Sequence, residues 1–216
     1  MRLPAGRVFS LAQSLPPVPG CTVSQAVLEG ENGLTCFSLA RGTDISPERY
    51  PNYKLLLGLS GTALVYGTGE ALPLGPGEAL ITAPGAAVGV RTEECAIYAE
   101  SAIRRSDMKN EAIPAGAVFR LADLVPYQEG RIVNMDVFHG EKMKFALMAF
   151  APGTGLTPHA APGEALVLAL DGQAVITYEG TEHLLRAGEE FAFARGGVHA
   201  VRAEGPFKMA LLLTLD

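Results

Sequence analysis

The chain has 216 residues, 48% hydrophobic and 19% charged, with a net charge of −6 and a sequence pI of about 5.3. This composition supports an ordinary globular core, and the acidic balance argues against a polyanion partner, since nucleic-acid binding needs a basic face. The length allows one large domain or two of about 100 residues each.

The first ten residues, MRLPAGRVFS, hold no apolar signal-peptide core, and no apolar run approaches a membrane span. A cytoplasmic protein without membrane contact is therefore expected. Cys21, Cys36 and Cys95 lack metal-type spacing and are expected as small buried hydrophobes. Turn signals at Ser60-Gly61, Thr68-Gly69, Gly75-Pro76-Gly77 and Pro84-Gly85 cut the first half into short strands. Residues 101–114 are polar and end in a proline, so they are expected to form a connection, with Arg104-Arg105 solvated. Helix is expected only in short pieces, for example near Leu121–Leu124.

In the second half, glycine and proline turn signals recur from Gly130 to Gly205-Pro206 and delimit apolar stretches at 145–150, 165–170, 174–178, 191–194 and 208–213. Asp171-Gly172 and Glu179-Gly180 read as hairpin turns. Short strands with regular punctuation mean an antiparallel all-β sandwich or barrel. Along 165–170, Ala165, Val167 and Ala169 share one face and Leu166, Leu168 and Leu170 the other. The small face suits a cavity wall, and the leucine face then needs cover from another sheet, of the other half or of a second chain. The opposite assignment, leucines inward, stays open.

The halves repeat each other. Residues 42–100 align without a gap on 153–211 at a shift of 111 (153 − 42), matching Gly42-Thr43 with Gly153-Thr154, Pro47 with Pro158, Gly61 with Gly172 and Gly77-Glu78 with Gly188-Glu189. At a shift of 110, Pro4-Ala5-Gly6 matches Pro114-Ala115-Gly116, Val8-Phe9 matches Val118-Phe119, and Gly30-Glu31 matches Gly140-Glu141. Matching glycines and prolines mean matching turns. Two domains are expected, 1–105 and 106–216.

Only the second copy keeps histidines at motif positions. Gly153, His159 and Gly172, then Gly188, Gly196 and His199, carry a resemblance to the cupin superfamily, whose motifs are G-x5-H-x-H-x3,4-E-x6-G and G-x5-P-x-G-x2-H-x3-N. The resemblance implies two tandem jelly-roll β-barrels, a bicupin, with a divalent metal (Fe, Mn, Ni or Zn) at the barrel mouth. His159, His199 and Glu164 are the candidate metal ligands. Ala161 stands in the place of the second histidine, and Ala194 and Ala203 in those of the proline and asparagine. Counted back from Gly172, the family's glutamate falls on Ala165, one residue after Glu164. A one-residue shift turns a strand side chain to the opposite face, so Glu164 ligates only if a bulge or the Pro162-Gly163 turn delays regular pleating. The stretch from His159 to Leu166, with Phe207-Lys208-Met209, also resembles small stand-alone cupins carrying H-x-A-P-x-D/E-A-L, a class in which loss of the second histidine is a trait.

In the first copy His159 becomes Glu48, Ala161 becomes Tyr50, Glu164 becomes Tyr53 and His199 becomes Val88. Tyr50 or Tyr53 is expected to occupy the metal's room, with Glu48 as a hydrogen-bond partner, leaving this copy a structural, built-in dimer partner. His139 and His183 are expected as exposed loop residues and Asp136 as solvent-facing. Two functions stay open. One is an enzyme whose metal polarises a substrate oxygen or activates O₂ or water, in oxygenase or isomerase chemistry on a small organic acid or sugar derivative, between walls of Phe191, Phe193 and Met209. The other is a non-catalytic binding or sensor module that holds a small molecule through two neutral imidazoles without metal. A pure scaffold leaves the retained histidines unexplained. The expected partners are a small-molecule ligand and a second copy of the chain, with the two barrels of one chain packing as a pseudo-dimer.

Overall fold

A computed structural model describes residues 3–30, 32–67, 69–108, 113 and 115–215. Expectations placed on Glu31, Thr68, 109–112 and Pro114 lie outside the described residues.

The chain is nearly all strand. It opens with β1 (Val8–Phe9) and one helical turn, α1 (Leu11–Ser14), then β2 (Thr22–Leu28), β3 (Leu34–Leu39), β4 (Asp44–Arg49) and β5 (Tyr53–Ser60). β6 (Ala63–Tyr66), β7 (Leu72–Leu74), β8 (Glu78–Thr82), β9 (Ala87–Arg91) and β10 (Ala96–Ile103) follow. After β11 (Val118–Arg120) and a 3₁₀ turn over Leu121–Leu124 come β12 (Ile132–His139), β13 (Met143–Phe150), β14 (Gly155–Ala160) and β15 (Ala165–Tyr178). β16 (Thr181–Arg186), β17 (Glu190–Phe193), β18 (Val198–Arg202) and β19 (Phe207–Thr214) complete it. Among the described residues no helix is long and apolar enough to cross a membrane.

Two compact units form, one over Leu11–Arg120 and the other over Leu121–Asp216 together with Arg2–Ser10. The boundary expected after residue 105 is therefore corrected. β11 adds to the edge of β8 in the first unit, Val118 opposite Leu80, while β1 adds to the edge of β17 in the second, Val8 opposite Phe191. Each short strand precedes one unit in sequence and completes the other. The expected connection also shrinks, because residues 101–103 end β10 and Asp107 is buried, accepting a hydrogen bond from Asn32 at 3.1 Å.

In the first unit a six-stranded sheet, β11-β8-β5-β10-β3-β2, covers a four-stranded sheet, β4-β9-β6-β7. Leu39, Leu56, Leu80 and Tyr98 from the larger sheet meet Ala63, Val65, Leu74 and Val90 from the smaller one. Alternation puts every second residue of each strand into this layer, and burial of such side chains contributes about 1.5–3 kcal/mol each. The second unit repeats the order as β1-β17-β15-β19-β13-β12, with β14, β18, β15 and β16 forming the smaller sheet. Registers repeat as well: Lys54 faces Thr82 as Ala165 faces Phe193 (165 − 54 and 193 − 82 are both 111).

One hairpin differs from expectation. Glu179-Gly180 is a tight turn, with φ of 47° and 81°, and joins β15 to β16. Asp171-Gly172 is instead a bulge inside the continuous β15, which leaves β19 and passes into the smaller sheet. Gly172 has φ of 67°, and a Cβ there would stand 1.9 Å from the Pro206 carbonyl oxygen, so only glycine fits this bend.

Ala165, Val167 and Ala169 do face the inner core, as the small-residue pattern implies. Leu166 and Leu168 are buried outside that cluster and Leu170 is half-buried. Of the cysteines only Cys36 is buried; Cys21 follows the Gly20 turn and Cys95 sits in the turn before β10, and both are exposed.

Candidate functional site

The candidate site grows from one antiparallel strand pair. β14 and β18 place His159 directly opposite His199, with ring centroids 4.2 Å apart. His199 is buried and stacks nearly parallel on Phe193, centroids 3.9 Å apart and planes 18° apart, whereas His159 is exposed. Such a stack contributes about 0.5–1.5 kcal/mol and fixes the ring's plane.

Both rings are tethered in the same way. His159 Nδ1 lies 2.8 Å from the Thr157 carbonyl oxygen and His199 Nδ1 lies 3.1 Å from that of Gly197. A carbonyl can only accept, so each Nδ1 carries the proton and each Nε2 of the neutral ring presents a lone pair. Burial pushes the His199 imidazole below its ordinary 6.5; the Gly197 carbonyl works against this and His159 adds to it. His199 is therefore neutral at neutral pH.

Glu164 does not join them. It is exposed, and among the described residues no group of three or more His, Cys, Asp or Glu side chains converges on a point that could hold a metal ion. The physical reason is the ladder. Ala165 pairs with Leu213, and Glu164 continues that register by exchanging backbone and side-chain hydrogen bonds with Thr214 at 2.8–3.2 Å. No bulge delays the pleat, so Ala165 points inward and Glu164 outward. Two imidazoles without a third fixed ligand are short of the three protein ligands that an open catalytic zinc site or a facial triad uses. The donor set does not fit a tightly held resident metal.

The apolar surroundings match expectation in part. Phe191, Phe193 and Met209 are buried in the inner cluster with Phe150 and Phe207. The reading of the residues missed Tyr178, whose ring packs on Phe191 and Phe193 at 5.9 and 5.8 Å. His183 is not a loop residue but lies in β16, half-buried, with its ring 5.1 Å from Phe191. His139 is exposed at the end of β12. Asp136 is part-buried rather than solvent-facing, held by Lys144 at 2.9 Å and His139 at 3.6 Å.

In the first unit Glu48 stands opposite Val88 in the register of the two histidines. Tyr50 does donate to Glu48, at 2.5 Å, and this hydrogen bond to a carboxylate, with burial, pushes the phenol up to about 12. Lys54 lies over the Tyr50 ring at 3.6 Å and pairs with Glu100 at 2.8 Å. The second unit has Ala161, Ala165 and Leu211 at the positions of Tyr50, Lys54 and Glu100.

Residues 146–215 match the family model of the cupin domain, Cupin_2. The fold is similar to that of a Cupin 2 conserved barrel domain protein from Leptotrichia buccalis, at 25% identity and a TM-score of 0.84, covering 98% of each chain. Residues 146–215 are thus a cupin domain, and the chain as a whole has a cupin-like fold. Solved structures of lower identity share the fold: a salicylate 1,2-dioxygenase from Pseudaminobacter salicylatoxidans (12%, TM-score 0.58, 84% of this chain and 70% of that one) and AerE from Microcystis aeruginosa (13%, 0.53, 97% and 98%). No curated protein matches this chain by sequence.

Proposed function

We propose that the chain is a bicupin whose second barrel binds a small organic molecule at the His159/His199 pair without needing a resident metal. The observation that carries this is the common tether of two rings whose centroids are 4.2 Å apart, each with its Nδ1–H turned to a backbone carbonyl and its Nε2 left to meet a ligand. An Nε2 acceptor on each ring selects a ligand bearing hydroxyl or N–H donors. Phe193 fixes the His199 ring, so little rotamer entropy is lost on binding. The bicupin reading is supported by the common offset of both strand registers.

Thermal shift against a panel of hydroxylated metabolites, run with and without chelator, tests the reading. Stabilisation by a polyol or hydroxy acid that survives chelator and disappears in His199→Ala is the expected result. Stabilisation abolished by chelator would sink it in favour of a second reading, in which the same two Nε2 lone pairs ligate a weakly held divalent cation. That reading requires uptake of Fe, Mn, Ni or Zn by the wild type and none by His199→Ala, measured as metal per chain.

A further inference from the structure

A volume that the second unit fills with its own side chain stands open in the first. The Tyr178 ring lies against Phe191 and Phe193, and a Cβ built on Gly6 or Gly197 would come within 3.0 or 2.6 Å of it. The Ala194 amide donates to its hydroxyl at 3.4 Å. At a shift of 111, Gly67 stands in the place of Tyr178 (178 − 67), Leu80 in that of Phe191, Thr82 in that of Phe193 and Ala86 in that of Gly197. A cavity of about 230 Å³ lies there, lined by Leu80, Thr82, Ala83, Ala86, Val88 and Gly116 among others. Gly116 and Ala83 are the counterparts of Gly6 and Ala194, so each named neighbour of the Tyr178 ring has its counterpart on the cavity wall. The backbones agree: Gly116 donates to Ile81 as Gly6 donates to Ala192, at 2.7 and 3.0 Å.

The first unit cannot fill this space from the same position. A Cβ on Gly67 would stand 2.1 Å from the Ala87 carbonyl oxygen. Ala86 carries a methyl group where Gly197 has no room for one, which is possible because no ring lies over it.

We propose that this cavity is a binding site for a small neutral aromatic molecule, a phenol being the minimal case. The second unit is the precedent, since the corresponding walls enclose a phenol ring there; in the first unit the ligand's ring lies displaced from the Tyr178 position, off the Ala86 methyl and into the room left by Leu80 and Thr82 in place of Phe191 and Phe193. Size agrees, because an apolar cavity of about 150 Å³ admits benzene, and the larger volume admits a substituted ring. The Ala83 amide stands where the Ala194 amide meets the Tyr178 hydroxyl, and Glu70, exposed at the rim, disfavours a carboxylate. This site is separate from the histidine pair and does not rest on the function proposed for it.

Isothermal titration of the full chain with 4-methylphenol tests the proposal. One equivalent per chain is expected, with a Kd of about 1 mM or tighter. Thr82→Phe, which supplies the ring of Phe193, and Ala86→Val should each weaken binding at least about tenfold, because either fills the cavity. His199→Ala should leave it unchanged. If Thr82→Phe does not fold, Ala86→Val alone reads the site. Failure of the wild type to saturate, undiminished binding in the folded cavity variants, or loss in His199→Ala would each overturn the proposal. Equal affinity for benzoate would overturn the preference for a neutral ligand, and equal affinity for cyclohexanol the requirement for a planar ring.

Discussion

Leu80 and Phe191 occupy the same place in the two units, each opposite the added edge strand, yet they differ by an aromatic ring. Around them the differences run together. The second unit has Phe193, Tyr178 and His199 where the first has Thr82, Gly67 and Val88, so the stacked imidazole, its supporting ring and the neighbouring phenol are present or absent as a set. The strand order and the registers do not change with them. A backbone held by bends and ladders can therefore exchange the whole content of its mouth.

The largest expected effect tests what the units share. Gly61 and Gly172 have φ of 64° and 67°, and a Cβ on either would lie about 2 Å from a backbone carbonyl oxygen. Alanine at either position should cost about 2–5 kcal/mol from left-handed strain and overpacking, read by urea denaturation. A cost confined to one unit would break the equivalence.

The next test concerns what differs. Phe191→Leu makes the second unit resemble the first and should cost about 1–1.5 kcal/mol, since a fully buried ring is cut back. Leu80→Phe should cost under about 0.5 kcal/mol, because the cavity accepts the added atoms. Equal costs would mean that the two mouths are not alternative fillings of one space.

Protonation sharpens the comparison further. The unfolded chain takes up a proton on His199 near pH 6.5, while burial makes the folded site resist it to lower pH. Stability should therefore be lost as pH falls from about 6.5 toward the lowered folded value, where the unfolded chain binds more protons. His199→Phe should flatten that part of the profile, and Val88→His should add no such slope in the first unit if Thr82 cannot replace Phe193 as a stacking partner. The smallest effect lies at the other end of the scale. Tyr50 holds its proton up to about 12, so the unfolded chain ionises first and stability falls as pH rises above about 10. Glu48→Gln should bring the Tyr50 ionisation down toward 10, followed by absorbance of the tyrosinate.

Much of this was legible in the residues. Gly-Pro punctuation and the internal repeat pointed to strands and to two copies, because positive-φ and φ-locked residues report backbone geometry directly. Motif spacing brought His159 and His199 together on paper as the strands do in space. The side of the sheet reached by Glu164 was not legible, since it depends on whether the ladder to Thr214 begins with a bulge. Nor was the pairing of β1 and β11, because two- and three-residue strands carry too little pattern to name a partner. The open space of the first unit did leave a trace, in Gly67 against Tyr178 and Thr82 against Phe193, but only a common register turns those differences into a volume.

The exchange of edge strands has a consequence for biosynthesis. Val8–Phe9 is synthesised about 180 residues (190 − 9 = 181) before its partner strand, Glu190–Phe193. Nearly all of both units must therefore be made before β1 can dock, and the unit built from Leu11 onward stays one strand short until residue 120 has been made. Severing the gene into separately expressed halves at residue 105 would strand each edge with the wrong fragment, so each unit matures only with a strand that the other half carries, through slow, long-range closure.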